Sequence, residues 1–249
     1  MKEIESFAKL SQTEQIYELT EVAKLAAVEF GIKVKDIANV SHSFNSTFYI
    51  TDDKTNKYSL RVNLNFSRDK SAITAEHKWL AEINKWKKIN VPQPIKTLNG
   101  QTYAHVYSKK LEFFLDCTLA HWIEGEEIGD DPTNSQLFEL GRIMALMHDY
   151  SASLSRSDYS GFPDIDSVFM DMQNNLDKTT KISEDLELID LLSRAHKDAE
   201  TAFTDLAAYE SKMLIHADLH MGNVIQNQDE LTIIDFDDAG FGYPSQDLS

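Results

Sequence analysis

Residues 214–238 read LIHADLHMGNVIQNQDELTIIDFDD. Two short apolar runs, Met213–Ile215 and Leu231–Ile234, have the length and composition of strands. The polar stretch Asn227–Glu230 predicts a hairpin turn between Val224–Ile225 and Leu231. His216, Asp218, His220, Asn223, Asp235, Asp237 and Asp238 fall where these strands end. Strand ends beside loops are places where a rigid scaffold holds reactive side chains.

The spacing narrows the chemistry. His216, Asp218 and Asn223 form H-x-D-x-x-x-x-N, and Asp235 opens D-F-D after an intervening strand. Protein kinases carry H-R-D-x-x-x-x-N followed by D-F-G. Phosphoryl transfer needs one carboxylate at the attacking hydroxyl to orient it and take its proton. It also needs oxygen ligands for the divalent cation that bridges the phosphates, and hard cations select carboxylate and amide oxygens. Asp218 is therefore expected as the base and Asn223 and Asp235 as Mg2+ ligands, with Asp237 an additional ligand candidate. The competing reading is an acidic surface hairpin, which a lone Asp–Asn pair would deserve. A His, an Asp, an Asn, a strand and a strand-terminal Asp in the right order argue against it.

The segments HADLHMGN (216–223) and IIDFDDAGFGYPSQDL (233–248) resemble the aminoglycoside phosphotransferase and choline kinase-like family of the protein kinase-like superfamily. The family pattern is H-x-D-L-H-x-x-N, then an I-D-F-D-D-like metal motif, then a D-L pair matched by Asp247-Leu248. Weaker resemblance extends back to about Val40. It implies an α+β, bilobal protein kinase-like fold with a β-rich N-lobe and a mainly helical C-lobe that ends early. The N-lobe would span residues 1–118, the hinge 119–125 and the catalytic lobe 126–249. The implied activity is transfer of the γ-phosphate of ATP, with Mg2+, to a hydroxyl of a small molecule of aminoglycoside, choline or homoserine type. A serine/threonine protein kinase of the same family and a nucleotide-binding module without catalysis are the alternatives. Asp247 would anchor the catalytic segment, and His216 would support its backbone.

The N-terminal half supplies the nucleotide side of that expectation. Ser11 and Glu14 form a capping box ahead of a helix over 11–30, with Ile16, Leu19, Val22, Ala23, Ala26 and Phe30 as its stripe and Gly31 as its stop. A hairpin follows, IANVSHSFNSTFYITDD and KYSLRVNLNF, turning at Asp52–Asn56. Ser41–Thr47 lacks the glycines of a kinase phosphate loop, so backbone amides and Ser43, Asn45, Ser46 and Thr47 would contact phosphate. The family often carries an Asn in this loop, which Asn45 matches. Arg61 stands where a kinase has its strand lysine, and a guanidinium clamps phosphate bidentately. Glu76, in AEHKWL on the helix predicted over 71–89, is the expected partner of Arg61, with Glu82 as rival.

Beyond this helix, Asn99-Gly100 predicts a two-residue hairpin turn before strands over 102–107 and 111–123. Trp122, beside the hinge, is expected in the core, with packing on the nucleotide base as the alternative. Helices are expected over 135–148, 164–176 and 183–209, the last with one break. His148 reads as a capping or packing residue, and the polar stretch 151–164 as an exposed loop near the acceptor. The chain stops two residues after Asp247, where family members continue with further helices. A partial chain or a short member is expected, lacking the part that shapes the acceptor pocket.

A formal net charge of −17 argues against nucleic acid and anionic membrane surfaces as partners, since both select Lys/Arg patches. A negative field can steer a cationic acceptor such as an aminoglycoside or choline, and the plainer alternative is an acidity that serves solubility alone. No apolar run approaches a membrane span and the first residues hold no apolar signal core. Cys117 is the sole cysteine, which excludes an intrachain disulfide and makes the reducing cytoplasm the simplest compartment. It reads as a small packed residue rather than a nucleophile.

Overall fold

The computed structural model describes residues 7–43, 45–64, 70–167 and 185–248. Helix α1 (Gln12–Glu29) begins at the expected capping box: Ser11 Oγ accepts the Glu14 N–H while Glu14 reaches back to the Ser11 N–H. Gly31, at φ +74°, turns the chain out of the helix. Strands β1 (Val34–His42), β2 (Asn45–Asp52) and β3 (Lys57–Asn63) then run antiparallel. Asp52 closes the β2–β3 turn by accepting the N–H groups of Lys54 and Asn56. Strand β6 (Phe113–His121) lies against β3, and β4 (Pro94–Ile95) and β5 (Ala104–Ser108) both pair with β6. Asn99-Gly100 does form a turn, with the Gly100 N–H donated to the Thr97 carbonyl. It does not join a paired hairpin, because β4 and β5 pair end to end along one edge of β6, at Leu119–Ala120 and Phe113–Cys117, rather than with each other.

Strand alternation sets the two faces of this sheet. Phe48, Ile50, Leu60 and Val62 point to one side and bury Leu19, Val22, Ala23 and Ala26 of α1 against them. Asn45, Thr47 and Arg61 point to the other side, with Arg61 opposite Thr47 on β2 and Thr118 on β6. Cys117 is buried inside the α1-side core, and burial pushes its thiol pKa well up, so it packs as the sequence implies.

A second core forms around α2 (Lys70–Trp86) and α3 (Asn134–Ala152). Thr133 and Gln136 make a capping box at the start of α3. Leu140, Ile143, Met144 and Met147 of α3 meet Ala75, Trp79, Leu80 and Ile83 of α2. The helix placed in the N-lobe from sequence thus sends its apolar face into the core that also holds Leu219, Val224, Ile233 and Phe236. Trp79 is fully buried, edge-on to both Phe162 and Phe236. That core also takes in β8 (Met213–Ile215), β9 (Val224–Asn227), β10 (Glu230–Ile233) and β11 (Gly240–Gly242). The predicted β9–β10 hairpin forms with Asn227 opposite Glu230; β7 (Glu126–Glu127) adds to β9, and β11 pairs with β8.

Other expectations change. Trp122 is half-buried, edge-on to Tyr49 at 4.8 Å, because it follows the last residue of β6 rather than lying within the sheet. The stretch 151–164 is not simply exposed: Tyr159 and Phe162 are buried, and Gly161 sits so close to the Ser71 carbonyl that a Cβ would stand 2.2 Å from it. Residues 164–167 are not helical; Asp164 bridges to Phe241, and the remainder of the helix expected over 164–176 lies outside the described residues. Helix α4 (Leu186–Leu206) runs without a break. Among the described residues no helix is long and apolar enough to cross a membrane.

Candidate active site

The loop from His216 to Asn223 leaves β8, and the loop from Ile234 to Ala239 leaves β10. Pairing of Ile215 with Gly240 brings their bases together. The Asn223 carbonyl accepts the Ile234 N–H at 2.9 Å, so Asp235 follows directly from a residue tied to Asn223.

His216 organises the first loop from beneath. It is fully buried, with its ring 4.5 Å from that of Phe236. Its Nδ1 accepts the Asp218 N–H at 3.3 Å, which leaves the proton on Nε2, and Nε2–H donates to the Ile234 carbonyl at 2.9 Å. Burial lowers its pKa, outweighing the opposing pull of Asp247, so the ring is held neutral. The expected supporting role fits this geometry.

Ala217 has φ +67°, a conformation that costs a non-glycine residue about 1–2 kcal/mol. Asp247 holds it there: Oδ1 accepts the Ala217 N–H at 2.6 Å and Oδ2 the His216 N–H at 3.4 Å. His148 Nε2 lies 2.8 Å from the same Oδ2. The anchor read from the D-L pair is thus in place. His148 is its partner rather than a cap, a contact no local pattern marks because the two residues are 99 positions apart.

Asp218, the expected base, points one carboxylate oxygen at Asn223 Nδ2, at 2.9 Å, and its side chain remains substantially solvent-accessible. The same Nδ2 donates to the Asp218 carbonyl at 2.8 Å. The Asn223 amide is thereby oriented, with its carbonyl oxygen as the end available to a cation. Asp235, at φ +60°, reaches solvent in part, yet the surrounding protein and the charge of Asp237 push its carboxyl up to about 6, against the pull of Arg61. A carboxylate crowded by like charge and an amide oxygen are both donor types suited to a hard divalent cation. Among the described residues no three His, Cys, Asp or Glu side chains form a cage. A magnesium ion needs none, since it takes one or two carboxylates and completes its shell with water and phosphate.

Across the cleft, Arg61 makes the predicted pair with Glu76, its Nη2 lying 3.2 Å from both carboxylate oxygens. Glu82 pairs with Lys85 at the surface and is excluded as a rival. Arg61 Nη1 donates to Asp237 Oδ1, and Asn45 Nδ2 donates to Asp237 Oδ2. Asp237, expected as a metal ligand, is therefore engaged by the sheet. Asp237, Glu76 and Asp235 hold the Arg61 guanidinium charged although burial alone would favour losing the proton. Its Nε is buried without a hydrogen-bond partner.

Ser46 departs from expectation. Alternation along β2 turns it to the α1 side, where it is fully buried, accepts from Asn39 Nδ2 at 3.2 Å and lies 3.1 Å from His42 Nδ1. Its hydroxyl is committed away from the face that carries Asn45 and Arg61. Two surface clefts of about 360 and 390 Å³, behind α2 and beside β7, are lined by none of these site residues.

Residues 36–249 match the model of the phosphotransferase enzyme family. Amicoumacin kinase of Bacillus subtilis (strain 168) is 24% identical over 240 residues, covering 94% of this chain and 68% of that protein. The solved amicoumacin kinase hAmiN, in complex with AMP-PNP, Ca2+ and Ami, superposes with a TM-score of 0.73 at 20% identity, over 96% of this chain and 70% of that one. A microcompartment-associated aminopropanol kinase gives 0.73 at 22% identity, over 92% and 72%. The likeness shows a protein kinase-like fold, as the sequence implied.

Proposed function

The chain belongs to the phosphotransferase enzyme family, and from that premise we propose that it transfers the γ-phosphoryl group of ATP to a hydroxyl of a small-molecule acceptor. The observation that carries this reading is the Asp218–Asn223 contact on a loop pinned from below by Asp247 and His216. In this reading Asp218 orients the incoming hydroxyl and takes its proton, and the fixed loop is what supports that role. Arg61, steadied by Glu76, offers a guanidinium to the phosphates in place of the usual lysine, and Asn45 offers an amide from the glycine-free hairpin. Asn223 and Asp235 are the residues that would hold a divalent cation, which supplies charge neutralisation at the phosphate oxygens when bound. The rest of catalysis is positioning, because a loose phosphoryl-transfer transition state asks little covalent chemistry of the protein.

The acceptor is proposed to carry an amine as well as a hydroxyl. The support is the net charge of −17 and the exposed run Glu124, Glu126, Glu127, Asp130 and Asp131 on the segment leaving β6. A field of that sign raises the local concentration of a cation and weakens with salt. One structural neighbour is described as an aminopropanol kinase, an amino alcohol of this class.

A thermal melt with ATP and Mg2+, together and separately, tests the nucleotide half of the reading. Ligand at about 100 times its dissociation constant stabilises by about 2.7 kcal/mol, a rise of a few degrees for a chain of this size. A cooperative melt that ignores ATP with Mg2+ would refute it.

A further inference from the structure

We propose that Asp237 makes nucleotide binding depend on the divalent cation, because it competes with the phosphates for Arg61 and a cation beside it relieves that competition. The inference rests on the kinase reading and concerns the same cleft.

The geometry at Arg61 carries it. The guanidinium is the cation the fold offers to phosphate from the centre of the sheet, yet both terminal nitrogens are engaged: Nη2 by Glu76 and Nη1 by Asp237. Nε is buried without a hydrogen-bond partner, and Nη1 spends on Asp237 one of its two N–H groups. Asn45, on the same face of the sheet, also donates to Asp237. A phosphate entering here meets a guanidinium already faced by two carboxylates, and the two are not equally fixed. Glu76 is almost fully buried on α2, one turn before Trp79, which is locked between Phe162 and Phe236. Asp237 sits on a loop, two residues beyond the ligand candidate Asp235. It is the partner that can be drawn off, and a divalent cation at Asp235 is the charge that would draw it.

Without a cation, a polyphosphate meets three carboxylates, Glu76, Asp235 and Asp237, around one guanidinium. Like charge at short range opposes binding, most strongly at Glu76 and Asp237, whose side chains are largely shielded from solvent. With a cation at Asp235, Asp237 turns to the positive charge and Arg61 is released to the phosphates. Asp237 then acts less as a ligand for its own sake than as the residue that excludes metal-free nucleotide, a form that could bind without reacting.

Calorimetric titration of the full chain with ADP, in excess Mg2+ and in EDTA, tests this against Asp237→Asn. Asn keeps the size and one acceptor but removes the charge. Wild type is expected to bind ADP well with Mg2+ and poorly in EDTA. Asp237→Asn is expected to bind metal-free ADP about ten- to a hundredfold tighter than wild type, the size of one charged hydrogen bond released. The gain should vanish in Arg61→Gln/Asp237→Asn. If Asp237 only ligates the metal, the single variant weakens Mg·ADP and leaves the EDTA value unchanged, and the proposal is overturned. Wild type that binds ADP in neither condition would sink the kinase reading itself, a distinct result. Should Asp237→Asn fail to melt cooperatively, Asp237→Ser carries the same comparison.

Discussion

Asp247 Oδ1 accepts the N–H of Ala217 at 2.6 Å, from 30 residues further along the chain, and that bond holds Ala217 at φ +67° directly before Asp218. The carboxylate is fully enclosed and serves three donors, the N–H groups of His216 and Ala217 and His148 Nε2. The orientation of the proposed base is thus set by a buried charge that never touches substrate.

Asp247→Asn should therefore lower unfolding stability by about 2–4 kcal/mol, since an amide presents only one acceptor to three donors and leaves buried groups unpaired. Urea denaturation should show an earlier midpoint at unchanged slope. A loss under about 1 kcal/mol would mean that the loop is held by other means.

The faces of β2 predict different nucleotide affinities for variants at neighbouring residues. Asn45→Ala should weaken Mg·ATP binding, because Asn45 faces the cleft, and should also cost about 1 kcal/mol of stability, because its amide serves Leu64 N–H and Asp237. Ser46→Ala should leave nucleotide affinity unchanged and cost about 1 kcal/mol of stability, because its hydroxyl serves Asn39 and His42 on the α1 side. Nucleotide titration beside a thermal melt separates the two; equal loss of affinity in both variants would contradict the strand's assigned orientation.

His216 should make the protein acid-sensitive from near neutrality. Its folded pKa lies below the ordinary 6.5, so below that pH the unfolded chain binds a proton that the folded chain refuses. Stability from this group is full above about pH 6.5 and falls as pH drops, by at most about 1.4 kcal/mol per pH unit. Asp235, held up to about 6 against an ordinary 3.8, works in the opposite direction between about pH 4 and 6. His216→Gln removes the first dependence and keeps the second. Unfolding free energies at pH 7.5, 6.5 and 5.5 should converge toward acid between wild type and variant, and parallel curves would refute the neutral buried ring.

The local fold of the segment proposed to be catalytic was legible because its information is local. The hairpin of β9 and β10 and the His216–Asp218–Asn223 spacing need only neighbours in sequence, and Arg61 and Glu76 followed from their places in the family pattern. What escaped depends on register and on distance. Whether Ser46 or Asn45 faces the cleft turns on a single residue of strand register. A polar side chain on the core face carries no mark of its partners. His148 finds Asp247 across 99 positions, and Asp237 finds Arg61 across 176. Helix α2 reads as one amphipathic helix, yet it gives Glu76 to the sheet and Trp79 to the other core, a division of labour that periodicity alone does not show.

The most direct measurement follows the γ-phosphate itself. Wild type and Asp218→Ala would be incubated with γ-labelled ATP, Mg2+ and a panel of amino alcohols, including aminopropanol, choline, homoserine and aminoglycosides. The account predicts label in a small-molecule product with wild type, a fall of about 10²–10⁴-fold in Asp218→Ala, and ATP binding retained in that variant. Transfer at equal rates in both proteins would contradict the role given to Asp218. A folded wild type that binds Mg·ATP but leaves all label in nucleotide across the panel would contradict the phosphotransferase reading for these acceptors.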